Sequence, residues 1–222
     1  MKRLLITSYT TALLMFCLSA HAVAPEVVQL QSAWEHANYE LNGKPQMEAF
    51  EHLIAEADKT RKQLPAQADV LIWRGIIYAS YAGKKGGLGA LSMAKIAKAD
   101  LEKAIEIDRH ALNGSAYTTL GTLFYKVPGW PLGFGDNTIA EKMLKEALII
   151  NPQGIDSNYF YALYLIEKQR YAEAEGFLLK AQQAAPRPER PLADKGRHQE
   201  IDQALIQVKK QMAEQKHAST VN

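Results

Sequence analysis

From about residue 30 onward, apolar residues recur three and four positions apart, and the strict alternation of a surface strand is scarce. That period predicts helices almost throughout. Ala, Leu, Glu, Lys and Gln fill these segments, while Gly and Pro collect between them as punctuation. The sharpest stretch runs from Asn158 to Pro186, with Ala162 and Leu165 on a first stripe, Ala174, Leu178 and Ala181 on a second, and Pro186 closing it. The stretch before it repeats that order as Tyr117, Leu120, Gly121 and Phe124, then Ala140, Leu144 and Ala147, then Pro152. There, seven extra residues separate the two stripes. An earlier stretch has Gly75 and Tyr78, then Ala97, Leu101 and Ala104, with ten extra residues between. A weaker first version uses Trp34, Ala37, Leu41, Phe50, Ile54 and Ala57.

Each stretch reads as two helices folded back on one another, with Gly75, Gly121 and Ala162 where the pair approaches most closely. Small residues at those points and a proline after the second helix match the spacing of the tetratricopeptide repeat (TPR). One hairpin cannot cover its own apolar stripe, so successive hairpins must stack. The expected fold class is all-α: a TPR-like solenoid of four hairpins over about 30–63, 67–110, 114–152 and 155–186. A capping helix over 192–212 carries Ile201, Ala204, Leu205, Val208 and Met212 at helical spacing, and 213–222 is expected to be a flexible tail.

The extra residues are expected to form two loops on one rim of the stack. The first, from Ala82 to Leu91, is basic and rich in glycine; the second, from Lys126 to Asp136, is aromatic and rich in Pro and Gly. Fixed proline torsions and tight glycine turns predict an ordered second loop, with Asp136 or Thr138 capping the next helix and Thr138 with Glu141 in capping-box spacing.

The N-terminus changes the picture of compartment and charge. Lys2 and Arg3 precede an apolar stretch from Leu4 to Leu18, and Ala20-His21-Ala22 supplies the small-x-small pattern of a signal-peptidase site. Residues 1–22 are read as a secretory signal, giving a periplasmic or secreted protein. Removing them takes away two basic residues and no acid, so the formal charge of +2 belongs to the signal and the remainder is balanced. A balanced chain lacks the basic surface that nucleic-acid binding needs. Cys17, the single cysteine, leaves with the signal, so disulfide and thiol chemistry are not expected. No membrane span is expected after cleavage.

The stretches GGLGALSMAKIAKADLEKAIEID, SAYTTLGTLFYKVPGWPLGFGD, NPQGIDSNYFYALYL and APRPERPLADKGRHQEI resemble a family of bacterial secreted TPR proteins of unsettled function. The resemblance covers about residues 65–205. A looser similarity is to the TPR-containing T component of TRAP-type transporters and to regulator-of-microtubule-dynamics proteins, carried here by Leu132, Gly133, Asp136 and Ala140. Those transporter components are often lipoproteins, whereas Cys17 here follows bulky Phe16.

The leading functional expectation is an exported scaffold or adaptor, not an enzyme, that binds a protein or peptide through its concave groove and rim loop. The looser resemblance implies an alternative, a small-ligand-binding accessory to a solute transport system. Trp130 and Phe134 either form an exposed recognition platform or fold back to plug the gap between hairpins. Tyr39, Ser115, Thr118, Thr122, Tyr125, Asp156 and Tyr159 are expected on the groove, a lining suited to a peptide or a small polar ligand. Arg187, Arg190 and Arg197 either clamp a carboxylate or pair with Glu189, Asp194 and Glu200 to fix the turn into the cap. Ser92 and Lys95 fit S-x-x-K, and a serine hydrolase is the remote third reading, but the S-D-N and K-T-G elements are absent. The Gly86-Gly87-x-Gly89 run lacks the G-K-[ST] ending of a phosphate loop. The histidines lack ligand spacing, so neither metal nor cofactor is expected. Glu35 with Glu40, and Glu102 with Glu106, read as solvated helix faces.

Overall fold

The computed structural model describes residues 23–221. The proposed signal, Cys17 included, lies outside them. Among the described residues there is no strand, and the helices form chain-adjacent pairs. Helix α1 (Pro25–Tyr39) pairs with α2 (Gly43–Gln63), α3 (Ala68–Lys85) with α4 (Gly87–Ile107), α5 (Ser115–Lys126) with α6 (Asn137–Ile150), and α7 (Ile155–Glu167) with α8 (Tyr171–Gln182). A 3-10 turn, Ala111–Gly114, leads into α5, and α9 (Pro191–Val221) follows the last pair.

The same contact recurs inside two of these pairs. A Cβ added at Gly75 would lie 2.7 Å from Leu101 Cγ and 3.3 Å from the Ala97 carbonyl oxygen. At Gly121 the corresponding distances are 2.7 Å to Leu144 Cγ and 3.1 Å to the Ala140 oxygen. In α7 and α8, Ala162, Ala174, Leu178 and Ala181 are all buried. The leucine of the second helix thus fills the space that the small residue of the first leaves open, and there is no room for more.

Between pairs, α1 packs on α3, α3 on α5, α5 on α7, and α7 on α9; α9 also packs on α1. The five odd-numbered helices therefore close into an inner ring, with α2, α4, α6 and α8 outside it. At the seam Gly196 of α9 meets Tyr39 of α1 so closely that a Cβ there would stand 2.2 Å from the ring. Arg190 crosses the seam to the Glu35 carboxylate at 2.7 Å. An open groove was the expectation; the α1–α9 contact narrows it to a partly open cavity.

Two further expectations are corrected. The stretch from Ala82 to Leu91 is no loop: α3 and α4 extend through it and leave Gly86 alone as the joint. Gly86 and Gly87 both have positive φ, 61° and 66°, which glycine adopts without penalty, so one residue suffices to reverse the chain. At the C-terminus, helix continues to Val221, past the end of the apolar pattern at Met212, on a run of good helix formers. No helix among the described residues is long and apolar enough to cross a membrane.

Candidate functional site

Two places combine unusual chemistry with a built geometry: the loop between α5 and α6, and the space inside the ring.

The loop is short-circuited by its own backbone. Gly135 N–H donates to Pro128 O at 2.9 Å, Leu132 and Gly133 N–H both donate to Gly129 O at 3.1 Å, and Asp136 N–H reaches back to Phe124 O at 2.9 Å. Glycine is required here because a Cβ at Gly133 would lie 2.4 Å from Pro128 O, and one at Gly135 1.9 Å from Val127 O. The Trp130–Pro131 peptide is cis. Asp136 is the N-cap of α6, accepting from Thr138 N–H at 2.8 Å and Ile139 N–H at 3.0 Å. The capping-box partner does not join it: Glu141 instead bonds Lys145 and Arg170, which hold its carboxyl below the usual range.

The two aromatic residues of this loop part company. Phe134 turns inward and meets Phe124 edge-on, with centroids 5.6 Å apart. Trp130 is 90% exposed and Leu132 74%. A rigid loop held by backbone hydrogen bonds and anchored by Phe134 therefore presents a tryptophan and a leucine to solvent.

The ring encloses a partly open cavity of about 620 Å³ reached by all five inner helices. Its apolar wall includes Trp34, Trp73, Ile76 and Phe160. Trp34 stands 5.8 Å from Trp73 and 5.7 Å from Tyr39, both edge-on. The polar wall comes from the turn before α9 and from the first turn of α7, where Asp156 binds two arginines: Arg187 at 2.7 Å and Arg197 at 2.8 Å. Burial pushes the Asp156 carboxyl up, but Arg197, Arg187 and Arg190 outweigh it and hold the group well below the usual carboxylate range. Arg187 also bonds Asp194, and Arg197 bonds Glu200 and lies over the Tyr159 and Phe160 rings at 4.5 and 4.6 Å. Arg197 remains charged despite burial because of the acids around it.

Of the residues expected on the groove, Tyr39, Ser115, Thr118 and Asp156 do line the cavity. Thr122 lies off it, its hydroxyl donating to Thr118 O at 2.9 Å. Tyr125 packs edge-on to Tyr164 at 5.6 Å, and its buried hydroxyl has no hydrogen-bond partner. Tyr159 sits in the core, where burial pushes its hydroxyl up to about 12. The arginines pair with Asp194 and Glu200, two of the three acids named from sequence, and additionally with Asp156 and Glu35. Glu35 was expected to be solvated; it is only 6% exposed, and its carboxylate is bonded by Arg190 from the turn before α9. Ser92 is exposed, and its hydroxyl donates to Gly89 O at 2.9 Å rather than engaging Lys95.

Trp73, Phe160 and Gly196 were not singled out from the sequence. Only Gly196 had a visible signal, a glycine inside an otherwise good helical pattern. No protein-family model matches this chain, and a search of curated proteins found no significantly similar sequence.

Proposed function

We propose that the protein is an exported, TPR-like adaptor that recruits a protein partner through the tip of the α5–α6 loop. The observation that carries this is the exposure of Trp130 and Leu132 on a loop whose backbone is already fixed. Exposed aromatic side chains dominate binding energy at interfaces, and a preformed loop avoids the ordering cost of binding. Supporting the export part are the N-terminal charge, apolar run and cleavage pattern; supporting the TPR part are the repeated small-to-leucine contacts within adjacent helix pairs. The loop tip is preferred to the inner face as the partner site because α9 packs on α1 and narrows the inner face to a partly open cavity.

The test is a crosslinking pull-down from the native host with tagged protein and with the Trp130→Ala/Leu132→Ala variant, leaving Phe134 intact. Capture of the same partner by the parent protein, with recovery reduced about tenfold or more in the variant, is the expected outcome. Equal recovery by both proteins, or no specific capture by the parent, would remove the loop from the mechanism.

A further inference from the structure

The cavity at the centre of the ring is independent of the loop and has chemistry of its own. Three arginines border it, and their hydrogen bonds sort them. Arg187 uses Nε and both η nitrogens on Asp194 and Asp156. Arg197 uses Nε on Asp156 and Nη1 on Glu200, and lies over two adjacent aromatic rings. These two are committed to holding the turn and α7 together.

Arg190 is different. Only its Nε is bonded, to Glu35 Oε1 at 2.7 Å, and its two η nitrogens make no hydrogen bond among the described residues. A guanidinium is strongly held in its charged form and presents donors in a planar fork that fits a carboxylate two-pronged. Its carbon lies 5.1 Å from the centre of the Trp73 ring, so the cation is fixed against an aromatic face. The Nε1 of Trp73, a residue only 3% exposed, is buried behind this face without a hydrogen-bond partner. Neighbouring Trp34, by contrast, donates its Nε1 to Ser80 Oγ at 2.9 Å. The spare donors of this wall are therefore those of Arg190, and the surfaces flanking it are aromatic and aliphatic.

We infer that the cavity binds a small organic carboxylate with a flat apolar body, its carboxylate on the η nitrogens of Arg190 and its body against Trp34, Trp73 and Phe160. The size agrees, since small-molecule sites occupy roughly 300–1,000 Å³ and combine apolar walls with a few placed polar groups. Glu35 already balances the Arg190 charge, so the site offers the ligand no net positive field, and what selects a carboxylate is the planar fork of spare η donors on Arg190. Recognition then distinguishes a carboxylate from its amide by hydrogen-bond geometry, and a ligand cation would compete with Arg190 for Glu35.

The experiment uses purified protein and a series of arylalkanoates from phenylacetate to 4-phenylbutyrate, each paired with the amide and the amine of the same skeleton. Affinity is read by titration calorimetry. Site is read from tryptophan emission in the Trp130→Phe variant, which leaves only Trp34 and Trp73 to report. Saturable binding of the acids is expected, with a change in that emission and about tenfold weaker binding of the amides. Arg190→Lys retains a cation but not the fork, and the Glu35→Gln/Arg190→Gln pair keeps the seam neutral if Arg190→Lys folds poorly. Both should weaken the acids by about tenfold and leave the amides unchanged. Acids and amides binding equally, amines binding best, or no saturation by any member would each overturn the assignment.

Discussion

Trp130 and Trp73 are the same side chain put to opposite uses. Trp130 stands out from a loop held by backbone hydrogen bonds within a dozen residues, and little of the ring is covered. Trp73 lies in the inner wall, covered by Arg190 from a turn more than a hundred residues away. The loop is thus a local construction whose shape its own glycines dictate. The wall is non-local: it exists only because α9 returns to α1. Local constructions tolerate loss of their exposed residues, whereas non-local ones fail when any close approach is spoiled.

The largest effect should come from spoiling an approach. Gly121→Leu introduces a side chain where even a Cβ would meet Leu144 Cγ at 2.7 Å. It should cost at least about 1–3 kcal/mol, read as a fall in thermal unfolding temperature. Gly176→Ala, where nothing lies within 4 Å of an added Cβ, is the contrast and should not lower it. An unchanged melting temperature for Gly121→Leu would show that the α5–α6 contact is looser than described.

Acid should act on the wall next. Asp156, held below the usual carboxylate range by Arg197 and Arg187 against its own burial, contributes stability that is fully present above the unfolded value of about 4. That contribution is lost as the pH falls through the lower, folded value. Glu200 works the other way, because burial raises its carboxyl despite Arg197. Asp156→Asn should therefore be less stable than the parent at pH 7, with the gap narrowing towards pH 3 in melts across that range. A gap constant with pH would mean that the Asp156 charge contributes nothing through Arg187 and Arg197.

Smallest of all should be Trp130→Ala, which removes an exposed ring and should change stability by no more than about 0.5 kcal/mol. A clear loss of stability there would mean that the loop tip is packed, not presented.

The division between local and non-local also explains what the sequence revealed. The helix pairs were legible because Gly75, Gly121 and Ala162, with their partner leucines, repeat within a hairpin. The Asp136 cap and the ordered loop were legible for the same reason. The insert from Ala82 to Leu91 misled because glycine richness signals both loops and tight joints; here Gly86 makes a one-residue turn and the remainder stays helical. Glu35 was misplaced on a solvated face and Trp73 was not placed, since their partner Arg190 is far along the chain and only the ring's closure brings them together. Sequence offered the arginines two roles, carboxylate clamp or structural pairing. Arg187 and Arg197 took the second, and Arg190 has donors left for the first.

The closure of the ring is the central claim, and a double-mutant cycle tests it most directly. Unfolding free energies would be measured for the parent, Glu35→Gln, Arg190→Gln and the double variant. Side chains bonded at 2.7 Å across the α1–α9 seam should show a coupling energy of about 0.5–3 kcal/mol, with the double variant more stable than the sum of the single losses implies. Losses that simply add would contradict the account, because residues so distant in sequence would then not meet and the inner face would stand open.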